Sequence, residues 1–240
     1  MATVSPDKTE NEISCKIVSG SPPLSTVLPN PDTSTTGFSI MRTALLLLAL
    51  LFSATPALAA RTILIFGDSL SAGYGIRPEQ AWPSLLEKRL SEKRLDYSVV
   101  NVSISGETTA GGRARLPEAL QRHKPAIVVI ALGANDGLRG LPLAQMRDNL
   151  AAMLDAAQAT GARTLLVGMH LPPNYGPYAA EFAKSFADTA KRKKSAALDF
   201  LLAPIAANPA YFLSDGIHPT PEAQPLILDH VWPGLQPLLK

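Results

Sequence analysis

Five short apolar runs separated by amphipathic stretches constrain this chain more than any other feature. They occupy residues 62–66, 97–102, 127–132, 164–168 and 196–200. Runs of this length with no polar alternation are strands buried on both faces, which require a parallel sheet with helices on either side. Between the third and fourth runs, Leu143, Met146, Leu150, Met153, Leu154 and Ala157 recur at helical spacing, with Gly161 placed to cap the end. The final element, residues 222–239, follows Thr220-Pro221, a Thr N-cap with Pro at the first helical position; Pro225 and Pro233 limit its regularity. No repeat and no linker follows Arg61. The expected fold is a single three-layer α/β/α domain over residues 60–240, built on a mostly parallel five-stranded sheet.

Composition agrees with one soluble domain: of 240 residues, 46% are hydrophobic and 18% charged. A net charge of +2, with no Lys/Arg stripe interleaved with aromatics, argues against a nucleic-acid partner. The run Lys191-Arg192-Lys193-Lys194 reads as a solvated helix end, where cations suit the dipole. Cys15 is the sole cysteine, so neither an internal disulfide nor a cysteine-based zinc site is expected.

Residues 41–59, "MRTALLLLALLFSATPALA", have an Arg beside a Met, a leucine-rich core and a small-x-small ending. This is the pattern of a secretory signal peptide, its apolar core being short of the about 20 residues that span a bilayer. Cleavage after Ala59 and a periplasmic or secreted bacterial protein with no stable membrane span are expected. The preceding residues 1–40, rich in Ser, Thr and Pro, read as a disordered extension or an over-extended reading frame, with Met41 as the start.

Ligands of open α/β sheets gather at the carboxyl ends of strands. The first run ends in Gly67-Asp68-Ser69, the second in Ser103-Ile104-Ser105-Gly106 and the third in Gly133-Ala134-Asn135-Asp136, so three polar, glycine-bearing turns converge on one rim. Near the end, "SDGIHP" adds Asp215 and His218, three residues apart. The set furnishes a nucleophile, a base, a carboxylate to orient it and amide donors. Ser69 alone would more often be a helix cap, and Asn135 alone a turn residue. Asp68 and Asp136 read as structural carboxylates bonding backbone within their own turns.

These four blocks, Gly67-Asp68-Ser69-Leu70, Gly106, Gly133-Ala134-Asn135-Asp136 and Asp215-Gly216-Ile217-His218, resemble the SGNH, or GDSL, hydrolase family in kind and order. "GDSLSAGYG", "AWPSLL", "GANDGLRGLP", "LPPNYG" and "DGIHP" look closest to its secreted bacterial branch of thioesterase, protease, lysophospholipase and arylesterase enzymes. The resemblance implies a flavodoxin-like strand order and a cofactor-free, metal-free serine hydrolase of small acyl esters and thioesters. Ser69 would be the nucleophile, with the N-terminus of the helix it enters favouring negative charge nearby. His218 would be the base, and Asp215 would hold the imidazole's tautomer. The amides of Ser69 and Gly106 and the side chain of Asn135 would form the oxyanion hole. A carbohydrate acetyl esterase of the same family is the main alternative, and a non-catalytic anion-binding module a weaker one.

Leu138, Leu141, Leu171, Pro172 and Tyr175 are expected to wall the acyl cleft, although "NYGPYAAEF" is one residue shorter than the family pattern. His170 stands where the family usually carries Arg and is expected to support the loop from behind. His123 reads as a surface helix end and His230 as packing or solvent-facing. A monomer is expected.

Overall fold

In the computed structural model the described residues are 60–239. The expected signal peptide, residues 41–59, and the expected extension, residues 1–40, lie outside them. Five strands form one sheet: β1 (Arg61–Gly67), β2 (Tyr97–Asn101), β3 (Ile127–Ala131), β4 (Arg163–Val167) and β5 (Ala196–Leu198). Their order is β2-β1-β3-β4-β5 and every pairing is parallel. This is the doubly wound order in which the connections reverse direction beside β1, opening a crevice at its carboxyl end.

Successive side chains of a strand point to opposite faces, and the core divides accordingly. Ile63, Ile65, Ile127, Val129, Leu165 and Val167 face one layer, packed with Leu86 and Leu90 of α2 (Trp82–Glu92) and Ile227, Val231 and Leu235 of α7 (Gln224–Leu235). Leu64, Phe66, Val128, Ile130 and Leu166 face the other, which holds α3 (Thr109–His123), α5 (Leu143–Ala159) and α6 (Pro177–Lys193). Two one-turn helices, α1 (Ser69–Ala72) and α4 (Ala134–Leu138), sit directly on the ends of β1 and β3. Among the described residues no helix is long and apolar enough to cross a membrane.

The periodic segment 143–159 is helical as expected, and Gly161 lies one residue beyond the cap, in the left-handed region. The last element is less regular than one helix. Pro221–Ala223 and Gln236–Leu238 form 3-10 turns on either side of α7, and Thr220 makes no side-chain capping bond.

Candidate active site

Chain reversal at the end of β1 decides what Ser69 is free to do. Asp68 occupies the N-cap of α1, with extended backbone and Oδ1 accepting from the Leu70 N–H at 3.0 Å. The capping role open to Ser69 in the sequence therefore belongs to Asp68. Ser69 opens the single helical turn, and its Oγ lies 2.9 Å from His218 Nε2. A helix of four residues has little macrodipole, so the expected dipole effect gives way to individual amides as the source of positive potential.

His218 and Asp215 ride on a narrow loop closed by an antiparallel bridge between Phe212 and Pro219. The Leu213 N–H donates to His218 O at 2.7 Å and the Thr220 N–H to Tyr211 O at 2.8 Å. Asp215 Oδ1 accepts from the backbone N–H groups of Ile217 at 2.8 Å and His218 at 3.0 Å, while Oδ2 lies 2.6 Å from His218 Nδ1. These contacts, the His218 backbone N–H first, then its ring and the Ile217 N–H, hold the Asp215 carboxyl down at about 2. An anionic partner on Nδ1 favours the Nδ1–H tautomer, leaving Nε2 to accept the Ser69 proton. Tyr74 lies against the imidazole, with ring centroids 4.4 Å apart.

Opposite this loop, Gly106 adopts φ +79°, a left-handed backbone that favours glycine. A Cβ there would meet no protein atom nearer than Arg139 Nη2 at 3.8 Å, so the positive φ, not protein packing, is what favours glycine. Among the described residues, neither the Ser69 nor the Gly106 backbone N–H donates to another protein group, and both residues line the cavity beside Asn135. Asn135 Nδ2 donates to Glu107 O at 3.1 Å and approaches Asp68 Oδ2 at 3.5 Å. Burial pushes the Asp68 carboxyl up to about 6, against the lowering effect of the Leu70 N–H and of His218. Asp136 departs from expectation: its carboxylate leaves its own turn and accepts from the Thr109 N–H at 2.8 Å and Thr109 Oγ at 2.6 Å.

The cavity these groups share has a volume of about 620 Å³. It extends from Ser69 toward the ends of β4 and β5, where Met169, Leu171, Pro172, Phe200, Leu202 and Phe212 make its apolar wall. Leu138, Leu171 and Pro172 thus stand where expected. Leu141 and Tyr175 do not: Tyr178 Oη donates to Leu141 O at 2.8 Å and Tyr175 Oη to Leu138 O at 3.4 Å, so these residues fasten the loops from outside the cavity. His170 is on the wall itself, beyond the end of β4, stacked on Phe200 with centroids 4.5 Å apart and its Nε2 3.5 Å from Asp199 Oδ1. His123 ends α3, and His230 Nε2 pairs with Phe200 O at 2.9 Å. Tyr74, Phe200 and Phe212 were missed. Phe200 follows the last strand and was reachable by the strand-end rule, whereas Tyr74 and Phe212 are local to Ser69 and to the His218 loop but carry no sequence signal that their rings turn into the cavity.

The GDSL-like Lipase/Acylhydrolase family model matches residues 65–225, a span that includes every one of the four sequence blocks. The chain is similar to Esterase TesA of Pseudomonas aeruginosa, 50% identical over 182 residues, covering 75% of this chain and 90% of that protein. It is 43% identical to Thioesterase 1/protease 1/lysophospholipase L1 of Escherichia coli, covering 76% of this chain and 87% of that protein. A crystal structure of the psychrotrophic esterase EstA from Pseudoalteromonas, inhibited by monoethylphosphonate, superposes with a TM-score of 0.72 at 40% identity, covering 75% of this chain and 98% of that one. On the family match and on these identities, the chain belongs to the GDSL-like lipase/acylhydrolase family of ester hydrolases.

Proposed function

We propose that the protein hydrolyses carboxylic esters and thioesters through an acyl-enzyme on Ser69. The observation that carries this reading is the continuous relay from Ser69 Oγ to His218 Nε2 at 2.9 Å and from His218 Nδ1 to Asp215 Oδ2 at 2.6 Å, opening on an apolar cavity. Ser69 Oγ attacks the acyl carbonyl carbon as its proton passes to His218 Nε2, and Asp215 stabilises the imidazolium. The carbonyl oxygen becomes an anion facing the Ser69 and Gly106 amides and the Asn135 side chain. Collapse breaks the C–O or C–S bond, and His218 returns the proton to the leaving alcohol or thiol. Water then repeats the sequence on the acyl-enzyme, with His218 as base, releasing the carboxylic acid and free Ser69. No step calls for a metal or organic cofactor.

A series of p-nitrophenyl esters and acyl-CoA thioesters tests the substrate class. Turnover of both bond types with apolar acyl groups is expected, whereas activity confined to acetylated sugars would replace this reading with a carbohydrate esterase. We further propose export through residues 41–59, supported by their charged start, leucine core and Ala-Leu-Ala ending. Mass spectrometry of the protein from a bacterial host should find Ala60 at its N-terminus, and recovery of residues 1–40 in the mature protein would exclude this route. One chain supplies every group of the proposed site, so the proposed chemistry needs no second copy.

A further inference from the structure

The loop 103–108 carries Gly106, yet little packing holds it: Gly106 is exposed and only a guanidinium atom lies near its Cα substituent position. Before Gly106 the Ile104 N–H donates to Gly67 O at 3.0 Å, and from Gly106 onward one short stretch, residues 135–139, supplies a set of hydrogen bonds. Arg139 Nη2 donates to Gly106 O at 3.1 Å, and Asn135 Nδ2 donates to the next carbonyl, Glu107 O, at 3.1 Å. Asp136, buried, grips Thr109 by both its N–H and its hydroxyl. Thr109 Oγ in turn accepts from Asn149 Nδ2 at 3.2 Å, and Asn149 Oδ1 accepts from Arg113 at 3.2 Å, so this buried chain is satisfied along its length. The Glu107 side chain is tied to Arg115.

We infer that Asp136 and Arg139 are positioning residues for the oxyanion hole, fixing the Gly106 loop relative to Asn135. The inference rests on the acyl-enzyme reading above. Neither residue meets the reacting atoms. Both secure the loop on the C-terminal side of Gly106: Arg139 holds Gly106's own carbonyl, and Asp136 holds Thr109 at the start of α3, three residues on. Transition-state stabilisation depends on where donors stand before the oxyanion forms, so loosening this clamp should cost catalysis more than substrate binding.

The test uses the mature protein, a short p-nitrophenyl ester and rates expressed per active site titrated with a fluorophosphonate. Arg139→Ala should lower kcat ~10-fold and Asp136→Asn 10- to 100-fold, by the usual scale of oxyanion-hole losses, with KM within about twofold. Millimolar guanidinium should restore part of the Arg139→Ala rate while leaving Asp136→Asn unchanged. In the Asn135→Ala background, Arg139→Ala should cost much less than alone, because both act through one hole. Arg139→Lys, which keeps a donor but shortens the reach, covers the case of a poorly folded alanine variant and should fall between wild type and Ala. A rise in KM with kcat intact, fully multiplicative effects with Asn135→Ala, or wild-type rates in both single variants would overturn the assignment. Retained hydrolysis in Ser69→Ala would instead sink the acyl-enzyme reading on which it depends.

Discussion

Asn135 and Asp68 lie 3.5 Å apart and illustrate opposite demands on a polar group beside the proposed nucleophile. Asn135 is neutral and spends one N–H on Glu107 O, which fixes its plane while its value lies in the transition state. Asn135→Ala should therefore lower kcat by roughly 10² to 10³, with KM changing far less, as steady-state kinetics on a soluble ester will show. Asp68 caps α1 from a buried position, and desolvation raises its folded-state pKa to about 6, from an ordinary 3.8. Between those two values the folded protein binds more protons than the unfolded chain, so stability should fall as pH rises from about 4 to 6 and remain lower above it. Asp68→Asn keeps an oxygen for the Leu70 N–H and removes the buried charge. Chemical denaturation at pH 7.5 should find it more stable by about 2–3 kcal/mol, with a flatter profile across that window. A variant with the wild-type pH dependence would show that Asp68 is not the group responsible. Asp215 behaves oppositely. Its depressed pKa keeps it ionised until the pH approaches about 2, so it remains the anionic partner of His218 throughout the neutral and mildly acidic range.

At the level of elements, the loop bearing His218 is supported by the residue that starts α7. Gln224 is buried; its Oε1 accepts from the Trp82 N–H at 3.0 Å and its Nε2 approaches Pro219 O at 3.4 Å. Gln224→Ala would leave the Trp82 N–H at the start of α2 without that partner, at a cost of about 1–3 kcal/mol measurable by thermal or urea unfolding. Activity per folded molecule should fall too, because the exit of the His218 loop loses its tie. Nothing in the sequence marks Gln224, whose partners lie 142 residues and 5 residues away. The strands were legible because burial on both faces leaves an unbroken apolar run, as in the Ile127–Ala131 strand. The grouping of Ser69, Asp215 and His218 was legible because three motif blocks stood at strand ends and a fourth near the C-terminus, in a recognisable order. Leu141 and Tyr175 were misplaced because an apolar or aromatic residue in a loop carries no record of its direction. In the fold, the carbonyl of Leu141 accepts from Tyr178 at the start of α6 and the hydroxyl of Tyr175 donates to Leu138 O. Asp136 was misread for a similar reason, since its partner Thr109 lies 27 residues upstream and meets it only when α3 and α4 come together.

For the whole molecule, the proposed function separates chemistry from recognition along the sheet. β1, β2 and β3 end in Ser69, the Gly106 loop and Asn135, while the segments after β4 and β5 supply an apolar wall. Apolar area removed from water contributes about 25 cal/mol per Å², so kcat/KM should rise as the acyl chain lengthens from acetyl until the cavity is filled. A flat or falling profile over p-nitrophenyl esters of increasing length would mean that this wall does not receive the acyl group. The central claim, however, is the covalent step on Ser69, and mass spectrometry after fluorophosphonate treatment reaches it most directly. One adduct per molecule on the peptide containing Ser69, growing in proportion to the loss of ester hydrolysis, is the predicted result, and a folded Ser69→Ala protein should take up no label and hydrolyse nothing. Full hydrolysis by a stoichiometrically labelled protein, or wild-type rates from Ser69→Ala, would contradict it.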